Sequence, residues 1–239
     1  MQQILNFIAD PQNKFGAETL VTLELSIVSI VIAFLIAIPL GIGFAQRPVA
    51  AFIAANTSGL ARAIPTLAVL AAVVPYLGIG FRPAVFALTL LGIPPILLNA
   101  ITGIRSIDPA TVEAARGMGM TRWQILWRVQ IPLMAPVLAA GVRTSAVQIV
   151  ATVPLAGAEI GSGGYGDYII AGVNLLRTTP LLVGGIGTAA LAFLTEILLA
   201  QAQRALTPAG LRIAAATDQA AEGAGKATSN AAGSAPLAA

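Results

Sequence analysis

Long apolar stretches separated by short polar ones dominate the chain. Residues 25–46, 63–81 and 83–104 carry no charged side chain. Residues 133–158 carry one, Arg143, and residues 178–203 carry one, Glu196. A bilayer core about 30 Å thick is crossed by roughly 20 mostly apolar residues, so each window is long enough to span. The stretch 48–61 is also uncharged, but Asn56, Thr57, Ser58 and Gly59 make it too polar to stand alone. It reads as the start of a long second span over 49–77. The pattern predicts five spans, over about 20–46, 49–77, 83–104, 133–158 and 178–203, with a sixth crossing inside 49–77 as the alternative. The fold class is all-α, a polytopic membrane bundle. Residues 1–18 have neither a basic start nor an apolar core before Asp10, so they read as an extracytoplasmic segment and not as a cleaved signal.

Composition sharpens this picture. Hydrophobic residues make up 57% of the 239, charged residues 10%, and the mean hydropathy is +0.86. Soluble domains carry about 25% charge, so most of this surface faces lipid. The chain has no cysteine and no histidine. Thiolate metal sites, cysteine nucleophiles, His-ligated metals and the Ser-His-Asp triad are excluded. No metal, cofactor or catalytic residue is expected, and the net charge of +3 implies no nucleic-acid partner.

Charge placement sets the orientation, because cytoplasmic loops are enriched in Lys and Arg. With five spans, one side holds eight basic residues: Arg47, Arg105, Arg116, Arg122, Arg128, Arg204, Arg212 and Lys226. The other side holds three, Lys14, Arg82 and Arg177. The N-terminus is therefore expected outside and the C-terminus in the cytoplasm. The tail, 208–239, is rich in Ala, Gly, Ser and Thr, and it is expected to be disordered.

The longest inner loop runs from Asp108 to Pro132. Asp108-Pro109 supplies a capping oxygen followed by proline at the first helical position. Gly117-Met118-Gly119 should end that helix, since glycine accepts the left-handed conformation. Thr121 can cap a second helix, Arg122 to Gln130, with Trp123, Leu126, Trp127 and Gln130 on one face. Pro132 then opens the fourth span. On residues alone, the loop is either an interfacial hairpin with tryptophans at headgroup depth or a docking element for a cytoplasmic protein.

The spacing here resembles the loop of permease subunits of binding-protein-dependent ABC importers: E-A-A, three residues, G, nine residues, I-x-L-P. This chain has Glu113-Ala114-Ala115, then Gly119 at that distance, then Val129-Gln130-Ile131-Pro132, with Val129 and Ile131 as apolar replacements. Arg62-Ala63-Ile64-Pro65-Thr66-Leu67-Ala68, the lead-in Arg105 to Pro109, Gly141 to Gln148 and Ile160 to Asp167 are similar to segments of the osmoprotectant subgroup, which handles glycine betaine, choline and carnitine. The resemblance covers about residues 20–205. It departs at Val153-Pro154-Leu155 and in the Ala-rich tail.

The resemblance implies a subunit of a prokaryotic plasma-membrane importer. A second permease, identical or a sibling, would complete the path. A cytoplasmic ATP-binding subunit would dock on the loop, and an extracytoplasmic binding protein would deliver the solute. The coupling residues it implies are Glu113, Ala114, Ala115, Gly117, Gly119, Ile131 and Pro132. The chain carries no phosphate-binding G-x-x-x-x-G-K-[ST] loop, so ATP hydrolysis falls to the partner. Its outer aromatics, Tyr76, Phe81, Tyr165 and Tyr168, are scattered in sequence. A quaternary-ammonium cage is thus expected on the binding protein. The alternative reading is a stand-alone secondary transporter or channel.

Charges within the membrane are functional candidates by default. They are Arg143, Glu196, Glu24 and Arg62, each of which either pairs inside the bundle or snorkels to the interface. Arg143 and Glu196 flank the same outer loop and are a conceivable pair. Gly184, Gly185 and Gly187 suit close helix packing.

Overall fold

The computed structural model describes residues 2–61 and 65–206. Among these residues there is no β-strand. The elements are α1 (Gln2–Ala9), α2 (Phe15–Ala45), α3 (Pro48–Ala61), α4 (Thr66–Leu77), α5 (Phe81–Arg105), α6 (Pro109–Gly117), α7 (Arg122–Ile125), α8 (Ile131–Ile160), α9 (Tyr165–Asn174) and α10 (Thr178–Leu206). A π-helical segment, Leu126–Gln130, joins α7 to α8. The tail and Arg62 lie outside the described residues.

Helices α2, α5, α8 and α10 fall where spans were expected, and they are the four long and apolar enough to cross a membrane among the described residues. The expected span over 49–77 is carried by two helices in succession, α3 packing beside Ala33 and Ile96 and α4 beside Leu25 and Leu88. α3 has 14 residues and α4 has 12. At ~1.5 Å per residue each falls well short of a ~30 Å core. The cause is visible at Pro65, which caps α4 in an extended conformation with φ −62° and ψ 126°. Proline has no N–H to donate and biases its predecessor away from the α region.

The bundle is centred on α5, which packs along both α2 and α8. Leu25, Leu70, Leu88, Ile149 and Val153 form the core toward the α9 end, and Ala33, Ala37, Ile96 and Ile101 continue it toward the loop after α5. In lipid the hydrophobic effect does not drive helices together, so close approach by small residues matters more. At Gly92 a Cβ would lie 2.7 Å from Ile149 Cδ1 and 2.8 Å from Ser145 Oγ. That proximity lets the Ser145 hydroxyl donate to the Gly92 carbonyl at 3.0 Å, fastening α8 to α5. By contrast α10 sits at the periphery, with Leu181, Leu182, Ile186, Phe193, Leu194 and Leu198 exposed.

Candidate coupling loop

The loop between α5 and α8 is built almost wholly from local capping. Asp108 accepts the Ala110 N–H at 2.8 Å, and Pro109 occupies the first turn of α6. At the other end Gly119 adopts φ +81°, the left-handed region. Its N–H donates to the Arg116 carbonyl at 2.9 Å, and the Met120 N–H donates to Ala115 at 3.3 Å. Those two bonds are the paired closure that a left-handed residue gives a helix end. Thr121 then opens α7 with a reciprocal cap: its hydroxyl accepts from the Gln124 N–H, and the Gln124 carboxamide oxygen accepts from the Thr121 N–H at 2.8 Å.

Beyond α7 the chain does not break. The Ile131 N–H donates to the Leu126 carbonyl, five residues back, and α8 follows directly. Pro132, which cannot donate, falls at the first turn of α8, and the wide turn absorbs its missing bond. This corrects the expectation of a second short helix set apart from the span. The wide turn also breaks the expected stripe of Trp123, Leu126, Trp127 and Gln130. Leu126 is buried, while Trp123 and Trp127 stand exposed with their rings edge-to-face 6.1 Å apart.

Of the residues expected to couple, Glu113, Ala114, Ala115 and Gly117 lie in α6 and Gly119 closes it, whereas Ile131 and Pro132 begin α8; not all face outward. Glu113, Ala114, Gly117 and Gly119 are exposed, whereas Ala115 is buried against its own chain. Pro132 is exposed and Ile131 half-buried. Glu113 and Arg116 pair at 2.9 Å on the solvated side, an exposed contact of small energetic weight. Outside the loop, the Glu196 carboxylate accepts from both Nε and Nη2 of Arg143, and the Nε bond is 2.8 Å. Gln203 extends this link: its oxygen accepts from Arg143 at 3.2 Å, and its NH2 donates to the Pro136 carbonyl at 3.3 Å. The suspected pair is therefore formed, with a third residue that sequence spacing did not reveal. Glu24 is exposed on α2 with no ion pair among the described residues.

Residues 19–208 match the family described as binding-protein-dependent transport system inner membrane component. The chain belongs to this family. It is 36% identical over 212 residues to the carnitine transport permease protein OpuCB of Listeria monocytogenes, covering 89% of this chain and 97% of that one. It is 34% identical, with the same coverage, to the glycine betaine/carnitine/choline transport system permease protein OpuCB of Bacillus subtilis. In fold it is similar to a chain of the MetNI methionine ABC transporter in inward-facing form, with TM-score 0.72, 22% identity, and coverage of 84% of this chain and all of that one.

The permease is thus a multi-pass plasma-membrane protein, and its other ordered centre lies at the opposite end from the loop. α9 docks on the start of α2. The Gly164 N–H donates to the Glu18 carboxylate at 2.7 Å, and the Tyr165 N–H donates to the Thr22 hydroxyl at 3.1 Å. Tyr168 donates its hydroxyl to the Asn13 carbonyl. Phe7 and Phe15 pack on Tyr165 and Tyr168, with ring centroids 5.5 to 6.4 Å apart. Both tyrosines are buried and form a closed core with Phe7 and Phe15, not an open cage, while Tyr76 and Phe81 stay exposed and apart from it. Burial, and secondarily the Glu18 charge, pushes the Asp167 carboxyl above its ordinary range. Burial pushes the Tyr168 phenol up to about 12. Gly184 and Gly187 pack closely on α9, while Gly185 meets open space.

Proposed function

We propose that the permease is the non-catalytic transmembrane subunit of an ATP-driven importer for an osmoprotectant of the glycine betaine, carnitine or choline type. The observation that carries this reading is the family match over nearly the whole apolar region, joined to a loop whose E-A-A and glycine positions form a capped, projecting helix. The named substrates of the relatives support the solute class.

In this reading α6 inserts into a groove on a cytoplasmic ATPase. Ala114 and Gly117 permit close approach, and Glu113 and Gly119 shape the contact. Closure of the ATPase on ATP moves α6. The unbroken run from α7 through Pro132 transmits that movement to α8, shifting the bundle between two packed arrangements. A binding protein delivers solute from outside, and a second permease completes the path. The N-terminus lies outside and the C-terminus inside, the basic loops facing the cytoplasm. Residues 19–207 are the transporting unit, and 208–239 are dispensable for assembly and uptake.

Copurification from mild detergent tests the reading. One ATPase per permease, with ATP-driven uptake of a quaternary-ammonium solute, is expected. A permease that purifies alone and transports without ATP would instead be a stand-alone transporter.

A further inference from the structure

The membrane-spanning helices differ sharply in what they expose. Between residues 181 and 198, α10 exposes only apolar or small side chains, and α2 between 31 and 40 likewise exposes only Val, Ile, Phe, Leu and Pro. The outer half of α8 is different. Thr144, Ala151, Leu155 and Glu159 are exposed, and Gln148 and Thr152 are half-buried. At about 100° per residue these six lie on one side of the helix, within roughly a third of its circumference. Its opposite side packs Ile149, Val153 and Ala156 into the core.

Thr144 and Thr152 quench their hydroxyl protons on their own helix, donating to the Ala140 carbonyl at 3.0 Å and the Gln148 carbonyl at 2.7 Å. The Gln148 carboxamide, near the middle of α8, has no hydrogen-bond partner among the described residues. An amide and a carboxylate facing hydrocarbon are costly, and the cost disappears if the face meets water. Arg143 is not on this face. It sits roughly 140° around the helix from Gln148, engaged with Glu196.

We propose that Thr144, Gln148, Ala151, Thr152, Leu155 and Glu159 form one wall of the solute path, an assignment that rests on the importer reading. The wall carries hydroxyls, an amide and one carboxylate toward its outer end, and neither a basic nor an aromatic side chain. Such a surface passes a cation or a zwitterion without trapping it, and Glu159 disfavours anions at the entrance.

The absence of cysteine from the chain makes a direct test clean. Single variants Gln148→Cys, Thr152→Cys and Leu155→Cys, with Ile186→Cys and Leu198→Cys on α10 as controls, are labelled with membrane-impermeant methanethiosulfonates in native vesicles that hold the partner subunits. Thr152→Cys is close to isosteric and guards against a misfolded Gln148 variant. The α8 cysteines should be modified with loss of uptake, while the α10 cysteines stay unmodified. A trimethylammonium reagent should outpace a sulfonate reagent at Leu155→Cys, and adding Glu159→Gln should abolish the difference. Labelling of α8 no faster than α10, or equal rates for the two reagents, overturns the assignment. Failure of the importer reading shows separately, as vesicles of the unsubstituted chain that take up no osmoprotectant on ATP.

Discussion

The loop between α5 and α8 at one end of the bundle and the hub around α9 at the other are held together in opposite ways. Every hydrogen bond that shapes α6 and α7 joins residues at most five apart: the Asp108 cap, the closure at Gly119, the reciprocal cap of Thr121 with Gln124. The hub depends on partners far apart in sequence. Glu18 holds Gly164 across 146 residues, and Tyr168 holds Asn13 across 155. A locally encoded element keeps its shape while touching little of its own bundle, as suits the docking role proposed for it. A hub of distant contacts ties α2, α9 and α10 together and resists movement.

The largest effect should come from charging the loop. A Cβ at Gly119 meets nothing within 4 Å, so only the left-handed backbone opposes it, at about 1 kcal/mol. Gly119→Asp should therefore insert and fold normally yet lose ATPase association and uptake, as read by copurification and transport. Arg122→Ala, on the solvated side, should do far less. A Gly119→Asp permease with full ATP-driven uptake would remove the loop from the coupling role.

The hub predicts the reverse pattern. Glu18→Ala leaves the part-buried Gly164 N–H without its acceptor, at roughly 1–3 kcal/mol. Thermal unfolding in detergent should fall clearly while ATPase association persists. Loss of ATPase binding with unchanged unfolding would erase the contrast between the two ends. Smaller again is Thr121→Ala, which removes one capping oxygen at about 1 kcal/mol. It should loosen hydrogen exchange over 121–126 and leave the hub's exchange unchanged.

The smallest effect is a titration. A phenol raised to about 12, against an ordinary value near 10, favours the fold while it stays protonated. That contribution is complete below pH ~10 and is lost as pH rises through about 12. Phenolate absorbance should show a late-ionising component that is absent in Tyr168→Phe. Ionisation of Tyr168 at about pH 10 would mean that the hub admits water.

This division explains what the sequence discloses. Asp108-Pro109, Gly119 and Thr121 announce their roles because their partners are a few residues away. The spans at 83–104, 133–158 and 178–203 are legible because lipid demands length and apolarity and little else. The helix α9 is hidden, because a ten-residue element between glycines and Arg177 acquires its meaning only from α2. The split of 49–77 was written in Ile64-Pro65, but apolar composition on both sides masks it. Arg143 and Glu196 are evident as charges in apolar spans, yet Gln203 beside them looks like an ordinary interfacial glutamine. The wall on α8 requires knowing which half of the helix the core occupies, which neither charge counts nor mean hydropathy contain.

The π-helical turn at Leu126–Gln130 sets the phase between two surfaces on one rod. A wide turn holds one residue more than an α-turn, so it offsets everything before it by about 100° relative to everything after. Upstream of it sits α7 with the exposed Trp123; downstream sits the polar side of α8. The angle between the Trp123 side of α7 and the polar side of α8 is therefore set by one inserted residue, on a run unbroken from Arg122 to Ile160.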